Sequence, residues 1–398
     1  MGRRAAAAPR RRHPSRPHRP HENPRGDPVT DVVIALTYYS PYVSGLTNVA
    51  RDVAEGLVAR GHRVTVVTTR HDAALPLEET IAGVRVVRTP VLLQLGKGVI
   101  SPSFIPAVLR EARHADVVNI HAPMVEAGPL AWRASRITRV VTTYHCDVDL
   151  PSGLVNAVQR QVMDRSSVLA ARSSTRVVVT SDDYADHSRI ASALTARRAV
   201  IPPGCHDRSG GRPAFRETDG LHVGFLGRIV EEKGIEYLVE GFSALDRPDA
   251  RLLIGGDFSR VAGGSVIDRV KERIAGDDRI RLLGFVADED VPDLYASMDA
   301  FALTSVNAFE AFGIVQVEAM IAGVPAIASD LPGVRQPVRT TGFGVIVPPR
   351  DSGAITRALE DIAARDDDVP AMAARAQELY GVDAVTRAYE ELFASLAR

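Results

Sequence analysis

Short apolar strands alternate with helices twice along the chain, and this double alternation restricts the possible fold more than any other feature. Predicted strands of the first series lie at residues 32–37, 64–69, 84–87, 117–120, 140–143, 177–180 and 199–201. Those of the second series lie at residues 221–226, 251–254, 280–283, 299–304, 325–328 and 345–347. Because buried strands separated by helices form parallel sheets covered on both faces, we expect two doubly wound α/β domains in tandem.

A run rich in Pro, Gly and polar residues, at 202–213, interrupts the alternation and marks the linker. We place an N-terminal domain at 28–205, a linker at 206–219 and a C-terminal domain at 220–380, with helices at 352–365 and 370–398. A length of 398 residues with 45% hydrophobic content suits two domains. Tandem domains of this kind leave a crevice between the carboxyl ends of their strands, where ligands bind.

Charge is distributed unevenly although the formal net charge is only −1. Residues 1–27 carry eight Arg and two acidic residues and no apolar segment, which predicts a disordered arm. Residues 28–205 add a modest basic excess and residues 206–398 an acidic one. The basic half could face an anionic membrane leaflet, but an excess this small is weak evidence and a generic solvated surface explains it better. No apolar run approaches the roughly 18 residues of a membrane span, and we expect no nucleic-acid partner.

Few residues suggest a metal. The two cysteines, Cys146 and Cys205, lack C-x-x-C spacing and fit a reducing compartment, which points to the cytoplasm. Asp147 and Asp149 form a D-x-D motif, which we interpret as a helix N-terminal cluster rather than a metal site. We therefore expect no metal and no cofactor.

Two glutamates bracket a glycine in an otherwise apolar stretch. Glu310 should lie in a strand-to-helix loop, and Glu318 about two turns inside a helix spanning 313–322. If the whole interval were helical, their separation would be roughly 12 Å. That is too long for an acid and base acting on one bond, but it suits two hydroxylated ends of one ligand. A capping Glu and a solvated helix Glu remain an alternative.

A second motif follows the strand at 221–226. Gly227, Arg228 and Lys233 precede a helix that begins at Ile235. A turn glycine, a permanent cation and a second cation at a helix N-terminus make a site suited to a diphosphate. The motif is not a P-loop, since it lacks G-x-x-x-x-G-K-[ST]. Surface charges on a plain strand-loop-helix are the other interpretation.

Three residues of the N-terminal domain follow strands at the same predicted edge. Gly45 lies in the first strand-to-helix loop, where its backbone could approach a ligand or merely form a turn. His145 and His121 each follow a strand, so either could face the crevice or be a packed, hydrogen-bonded histidine.

Together these motifs resemble the retaining glycosyltransferases of family 4, which have the GT-B fold of two Rossmann-like domains facing a crevice. The similarity runs from about residue 31 to the C-terminus. It is carried by Glu310-Ala311-Phe312-Gly313 with Glu318, by Gly227-Arg228 with Glu232-Lys233-Gly234, by the Gly61 to Thr68 segment, and by Gly323-Val324-Pro325 with Ser329.

The resemblance implies a role for each matching residue. Arg228 and Lys233, beside Gly227, would neutralise the donor's diphosphate, and Glu318 would accept hydrogen bonds from the ribose. Glu310 and the backbone amides of Phe312, Gly313 and Ile314 would hold the transferred sugar. His145 would lie beside that sugar, and Gly45 would approach the phosphate. A last helix, at 381–398, would cross back to the first domain.

The expected reaction is therefore transfer of a sugar from a UDP- or GDP-sugar, without metal, to a lipid, glycan or small-molecule acceptor. The basic N-terminal half favours a peripheral enzyme at the inner face of the membrane. A sugar-nucleotide epimerase of similar fold, or an inactive sugar-nucleotide-binding relative, are the alternatives. Ser44 before Gly45, Thr304, and the Gly255 to Ser259 turn depart from the family pattern and leave the donor open.

Overall fold

The structure is a computed structural model that describes residues 29–95, 98–148, 153–257 and 265–397. The Arg-rich arm and Asp149 lie outside the described residues. The described chain contains two large sheets, a mainly parallel one from residues 31–200 and a parallel one from residues 222–347. This architecture confirms the predicted fold class.

The N-terminal sheet has eight strands in the order β10-β9-β8-β7-β1-β2-β4-β3, and only the edge strand β3 pairs antiparallel. Strands β5 and β6 pair antiparallel and form a separate two-stranded hairpin. The strands are β1 Asp31–Ala35, β2 Arg63–Arg70, β3 Glu78–Ile81, β4 Val84–Pro90, β5 Leu93–Leu95, β6 Gly98–Ile100, β7 Val117–Ala122, β8 Arg139–Tyr144, β9 Arg176–Val179 and β10 Arg198–Val200. The helices are α1 Gly45–Ala59, α2 Phe104–Ala112, α3 Ala127–Ala134, α4 Leu154–Ser173, α5 Asp182–His187 and α6 Ala191–Leu194.

The C-terminal sheet has six parallel strands in the order β13-β12-β11-β14-β15-β16. The strands are β11 His222–Leu226, β12 Arg251–Gly255, β13 Ile280–Gly284, β14 Ala300–Leu303, β15 Ala326–Ser329 and β16 Gly344–Val347. The helices are α7 Ile235–Ser243, α8 Ile267–Ile274, α9 Val291–Ala296, α10 Ile314–Ile321, α11 Gln336–Thr341, α12 Ser352–Ala364, α13 Val369–Tyr380 and α14 Val382–Ala397.

Strand β1 shows why both faces of the N-terminal sheet must be covered. Val33 belongs to the apolar cluster on one face and Ile34 to the cluster on the other, and both are buried. The second face is completed by α14, because Tyr389 and Phe393 pack into the same cluster as Leu57 of α1. Burying two such aromatic side chains contributes about 2–3 kcal/mol each to stability. The end of the chain therefore belongs to the N-terminal core.

Three details differ from the expectations. The helix expected at 370–398 is two helices, α13 and α14, because the backbone at Gly381 leaves the helical conformation (φ −59°, ψ 145°) and ends α13. Strand β3 and the β5–β6 hairpin were not predicted. Asp147 does not cap a helix: its carboxylate is buried and accepts hydrogen bonds from Ser188 Oγ at 2.7 Å and the Arg189 amide at 3.0 Å.

Candidate active site

The two domains meet where the carboxyl ends of their strands face each other. Asp183 of α5 accepts hydrogen bonds from Arg335 Nη2 at 2.7 Å and from the Gly333 amide at 2.9 Å. Ala311 packs against the N-terminal apolar cluster that contains Tyr144 and Tyr184. The loop carrying Glu310 therefore lies against the N-terminal domain, beside the residues that surround His145.

Lys233 and Glu310 form an ion pair in this crevice, with Lys233 Nζ donating to Glu310 Oε2. Their side chains are only 14% and 18% exposed. Thr304 holds the lysine backbone, because its hydroxyl donates to the Lys233 carbonyl at 3.1 Å. Gly234 follows with φ +62°, and a Cβ there would lie 2.3 Å from the Thr304 carbonyl oxygen. This close approach requires glycine and fixes the start of α7.

Gly227 and Arg228 lie on the same side of this site. A Cβ built on Gly227 would lie 3.9 Å from Lys233 Cε, so the lysine stem runs past this glycine. The Gly256 backbone approaches closely as well, since a Cβ there would overlap the Gly227 carbonyl oxygen. Arg228 is half-exposed and its Nη2 lies 3.2 Å from Glu232 Oε1. Each cation is thus held by a carboxylate that an entering anion could replace.

Helix α10 begins beside the ion pair. Gly313 precedes it with φ +83°, and a Cβ there would lie 2.3 Å from Leu303 Cδ2. Gln316 fixes this turn by donating from Nε2 to the Phe312 carbonyl at 2.7 Å. The first amides of a helix have no partner inside it, so those near Gly313 and Ile314 are available to an acceptor. Glu310 lies outside α10, and the 12 Å spacing, which assumed a continuous helix, does not apply.

Glu318 is the fifth residue of α10 and is 7% exposed. The backbone N–H of His206 donates to its carboxylate. Arg208 Nε lies 3.8 Å from Glu318 Oε1, an ionic contact too long for a hydrogen bond. Burial raises the pKa of Glu318, while Arg208 and His206 oppose the rise. A buried carboxylate held in this way can accept hydrogen bonds from the hydroxyl groups of a ligand.

The linker connects this carboxylate to the N-terminal domain. His206 Nε2 lies 3.1 Å from Asp52 Oδ2 of α1, and this hydrogen bond raises the pKa of His206. Arg208 pairs with Asp288 at 2.7 Å on the other side. One short segment thus contacts both α1 and α10, which couples the position of Glu318 to the N-terminal domain.

His145 follows β8 and is half-buried, and burial lowers its pKa to about 4. Its Nε2 lies 2.9 Å from Nδ1 of the buried His121, whose pKa burial also lowers. The imidazole of His145 is therefore neutral at physiological pH.

Gly45 is the first residue of α1, which Ser44 caps by accepting a hydrogen bond from the Thr47 amide at 3.2 Å. A Cβ on Gly45 would meet no atom within 4 Å, so packing among the described residues does not require glycine there. In the described parts of the chain, no three His, Cys, Asp or Glu side chains are grouped to hold a metal ion. No helix in those parts is long and apolar enough to cross a membrane.

Two family models match the chain. The model "Glycosyl transferase 4-like domain" matches residues 44–204, and the model "Glycosyl transferases group 1" matches residues 212–379. The protein is a glycosyltransferase of the family 4 type. Because the two matches cover both domains and meet at the linker, the resemblance found in the sequence is confirmed.

Relatives of known name support the same class. This glycosyltransferase is 26% identical over 389 residues to a D-inositol 3-phosphate glycosyltransferase from Xylanimonas cellulosilytica, covering 89% of this chain and 92% of that protein. It is 29% identical over 340 residues to a GDP-mannose-dependent alpha-(1-6)-phosphatidylinositol monomannoside mannosyltransferase from Mycolicibacterium smegmatis. The match covers 78% of this chain and 83% of that protein. These names support a hexosyltransferase.

Solved structures share the GT-B fold. A sucrose-phosphate synthase from Thermosynechococcus elongatus superposes with a TM-score of 0.68 at 21% identity, covering 92% of this chain and 99% of that chain. The Anabaena protein HepE, in complex with UDP and glucose, superposes with a TM-score of 0.63 at 20% identity. The superposition covers 92% of this chain and 100% of that chain. At such low sequence identity, the likeness to these structures shows the fold of the glycosyltransferase and nothing further.

The structure brings several of the predicted site residues of the glycosyltransferase together and adds others. Lys233, Glu310 and the turn at Gly313 lie in one place. Sequence reasoning missed Arg208 and Asp183, because an Arg in a linker and an Asp at a helix start carry no pattern of their own. The adjacent Thr180-Ser181 and the strand before them could have placed Asp183 at the crevice edge.

Proposed function

We propose that this glycosyltransferase moves a sugar from a UDP- or GDP-sugar to a lipid, glycan or small-molecule acceptor, with retention at the anomeric carbon. The observation that carries the proposal is the ion pair between Lys233 and Glu310 beside the N-terminus of α10. One enclosed spot thereby offers a cation for a phosphate, a carboxylate for sugar hydroxyls and unpaired amides.

In the proposed reaction, Lys233 and Arg228 stabilise the negative charge that develops on the departing diphosphate. Glu318 accepts hydrogen bonds from the ribose, and Glu310 with the Phe312, Gly313 and Ile314 amides holds the transferred sugar. Gly45 leaves room for a phosphate at the start of α1.

No side chain is assigned as a nucleophile, so the acceptor attacks from the face that the diphosphate leaves. The leaving phosphate takes the acceptor's proton, and retention follows from this front-face attack. Because two side-chain cations supply the charge that a metal would otherwise supply, we propose that the enzyme works without one.

Incubation with radiolabelled UDP- and GDP-sugars, followed by NMR of the products, tests this function. Transfer to an acceptor with the anomeric configuration kept supports it. Conversion of the sugar without an acceptor would instead identify an epimerase. Tight donor binding with neither transfer nor hydrolysis would identify an inactive relative.

We further propose that the enzyme is cytoplasmic and binds the inner face of the membrane, where a lipid-linked acceptor would lie. Support comes from α4: Leu154 is 89% and Val158 64% exposed, and Val162 is exposed on the same stripe. Three Arg residues and a single Asp are the charged residues of this helix, and that Asp164 pairs with Arg189. An apolar stripe with excess positive charge suits an anionic lipid surface.

Vesicles containing anionic lipid test this location. We expect the double variant Leu154→Gln, Val158→Gln to bind them less than the wild type at low salt. Val200→Gln, a matched exposed valine on β10, should not change binding. If the wild type binds no better to anionic than to neutral vesicles, the membrane proposal is wrong.

A further inference from the structure

A chain of hydrogen-bonded side chains runs beneath the crevice from His145 to the last helix. His145 contacts His121, His121 contacts Asn119, and Asn119 contacts Thr143, whose hydroxyl lies 3.2 Å from the Tyr389 hydroxyl of α14. Asn119, His121 and Tyr389 are each at most 1% exposed.

Chemistry fixes the direction of the hydrogen bonds that join Asn119, His121 and His145. Asn119 Nδ2 lies 3.2 Å from the carbonyl oxygen of Val141, which can only accept. The amide nitrogen of Asn119 therefore points to Val141, and its Oδ1, also an acceptor only, points to His121 Nε2 at 2.9 Å. His121 must donate there, so its proton lies on Nε2 and its Nδ1 has a lone pair.

The hydrogen-bond direction at Asn119 also determines which ring nitrogen of His145 is protonated. His121 Nδ1 accepts, so His145 Nε2, 2.9 Å away, must carry a proton. Burial lowers the pKa of both imidazoles, and the two rings stack with centroids 5.0 Å apart, which further disfavours a charge on either. A neutral His145 with its proton on Nε2 leaves Nδ1 as a bare acceptor.

We propose that Asn119 and His121 are positioning residues that lock His145 as a neutral, Nε2-protonated imidazole, so that Nδ1 accepts a hydrogen bond from a hydroxyl of the donor's sugar. The tautomer follows from this structure alone, whereas the sugar contact rests on the proposed function. In this arrangement His145 holds a hydroxyl and has no proton to give from Nδ1. The residue therefore orients the sugar and is not a general acid.

Long-range ¹H–¹⁵N NMR of the histidine rings tests the tautomer without any ligand. At neutral pH, with signals assigned by His145→Gln and His121→Phe, we expect His145 to show a protonated Nε2 and an unprotonated Nδ1. Asn119→Asp should reverse the chain, since a buried carboxylate favours a doubly protonated His121 that donates from Nδ1. His145 would then carry its proton on Nδ1. A wild-type His145 protonated on Nδ1, or charged at neutral pH, would overturn the proposal.

His121→Phe gives a second test if Asn119→Asp does not fold, because it removes the lock and should yield a mixture of His145 tautomers. Calorimetry then separates sugar contacts from nucleotide contacts. We expect His121→Phe to weaken binding of the preferred UDP- or GDP-sugar by up to about tenfold, because the released His145 is held as the accepting tautomer only part of the time. Binding of free UDP or GDP should stay unchanged. Tyr389→Phe, at the far end of the chain, should change neither affinity.

Equal weakening of sugar nucleotide and free nucleotide by His121→Phe, or no weakening of either, would overturn the positioning role. A wild type that binds no sugar nucleotide at all would instead refute the proposed function. The NMR result decides the tautomer in both cases.

Discussion

Replacing Lys233 by Met tests the assignment of the diphosphate site most sharply, because Met is an unbranched side chain of nearly the same length that carries no charge. In the free protein the Lys233 ammonium is held by Glu310, and both side chains are largely buried. A diphosphate must therefore compete with Glu310 for the lysine. Loss of the ammonium should weaken binding of the sugar-nucleotide donor. It should also leave the largely buried carboxylate of Glu310 unpaired.

General energies of charged hydrogen bonds give the expected size of both effects, the weaker binding of the donor and the lower stability of the protein. Two unit charges 4 Å apart attract by about 4 kcal/mol at the effective dielectric constant near a protein surface. After desolvation, a hydrogen bond to a charged group retains about 1.5–3 kcal/mol, or roughly 10- to 150-fold in affinity. Because separating Lys233 from Glu310 uses part of this energy, we expect UDP or GDP to bind about 10- to 30-fold more weakly. The free energy of unfolding should fall by about 1–2 kcal/mol, less than for a fully buried pair.

Calorimetric titration with UDP, GDP and the corresponding nucleosides measures the effect, and urea denaturation measures the stability. Lys271→Met on the exposed face of α8 is the matched control and should leave diphosphate affinity unchanged. Glu310→Gln should preserve or raise affinity for the free diphosphate, since the competing charge is gone, yet abolish most sugar transfer. Undiminished UDP and GDP binding by Lys233→Met, at wild-type stability, would refute the diphosphate assignment.

Three other substitutions test further parts of the site. Gly313→Ala should lower the free energy of unfolding by about 2 kcal/mol in urea denaturation, because φ is positive and the new Cβ would meet Leu303; unchanged stability would contradict this turn. Burial opposes ionisation of Asp183, but hydrogen bonds from Arg335 and a backbone amide prevail and lower its pKa. The domain contact should therefore persist at neutral pH and weaken as the pH falls through that lowered pKa, and Asp183→Asn should raise the radius of gyration in X-ray scattering already at neutral pH. Burial raises the pKa of Glu318, so its contribution to stability is present at low pH and lost as the pH rises through the raised value. Glu318→Gln should thus raise the thermal midpoint at neutral pH while weakening the sugar nucleotide, and a lower midpoint would contradict the cost of that charge.

The fold was largely predictable because a parallel sheet leaves a simple trace in the sequence. Strands buried on both faces must be short and apolar, as in β1 and β14, and each is followed by a helix. The hairpin β5–β6 was missed because its residues are partly exposed and lack a strict alternation. The break between α13 and α14 was not visible in the residue pattern, because Gly381 sits in an otherwise continuous helical pattern. Only the family resemblance implied a separate last helix at 381–398.

The candidate site was predictable where local chain geometry demands a particular residue. Gly234 and Gly313 hold positive φ angles next to a cation and a carboxylate, so each motif carries its own structural reason. The ion pair between Lys233 and Glu310 could not be predicted from the sequence, because these residues are 77 positions apart and no local pattern joins them. For the same reason Asn119, which orients two histidines through the fold of β7 and β8, gave no signal.

A co-crystal structure with the preferred sugar nucleotide tests the central claim most directly. We predict that the diphosphate lies within hydrogen-bond distance of Lys233 Nζ and the Arg228 guanidinium, the ribose on Glu318 and the sugar on Glu310. A nucleotide bound with its diphosphate away from both cations would contradict the account.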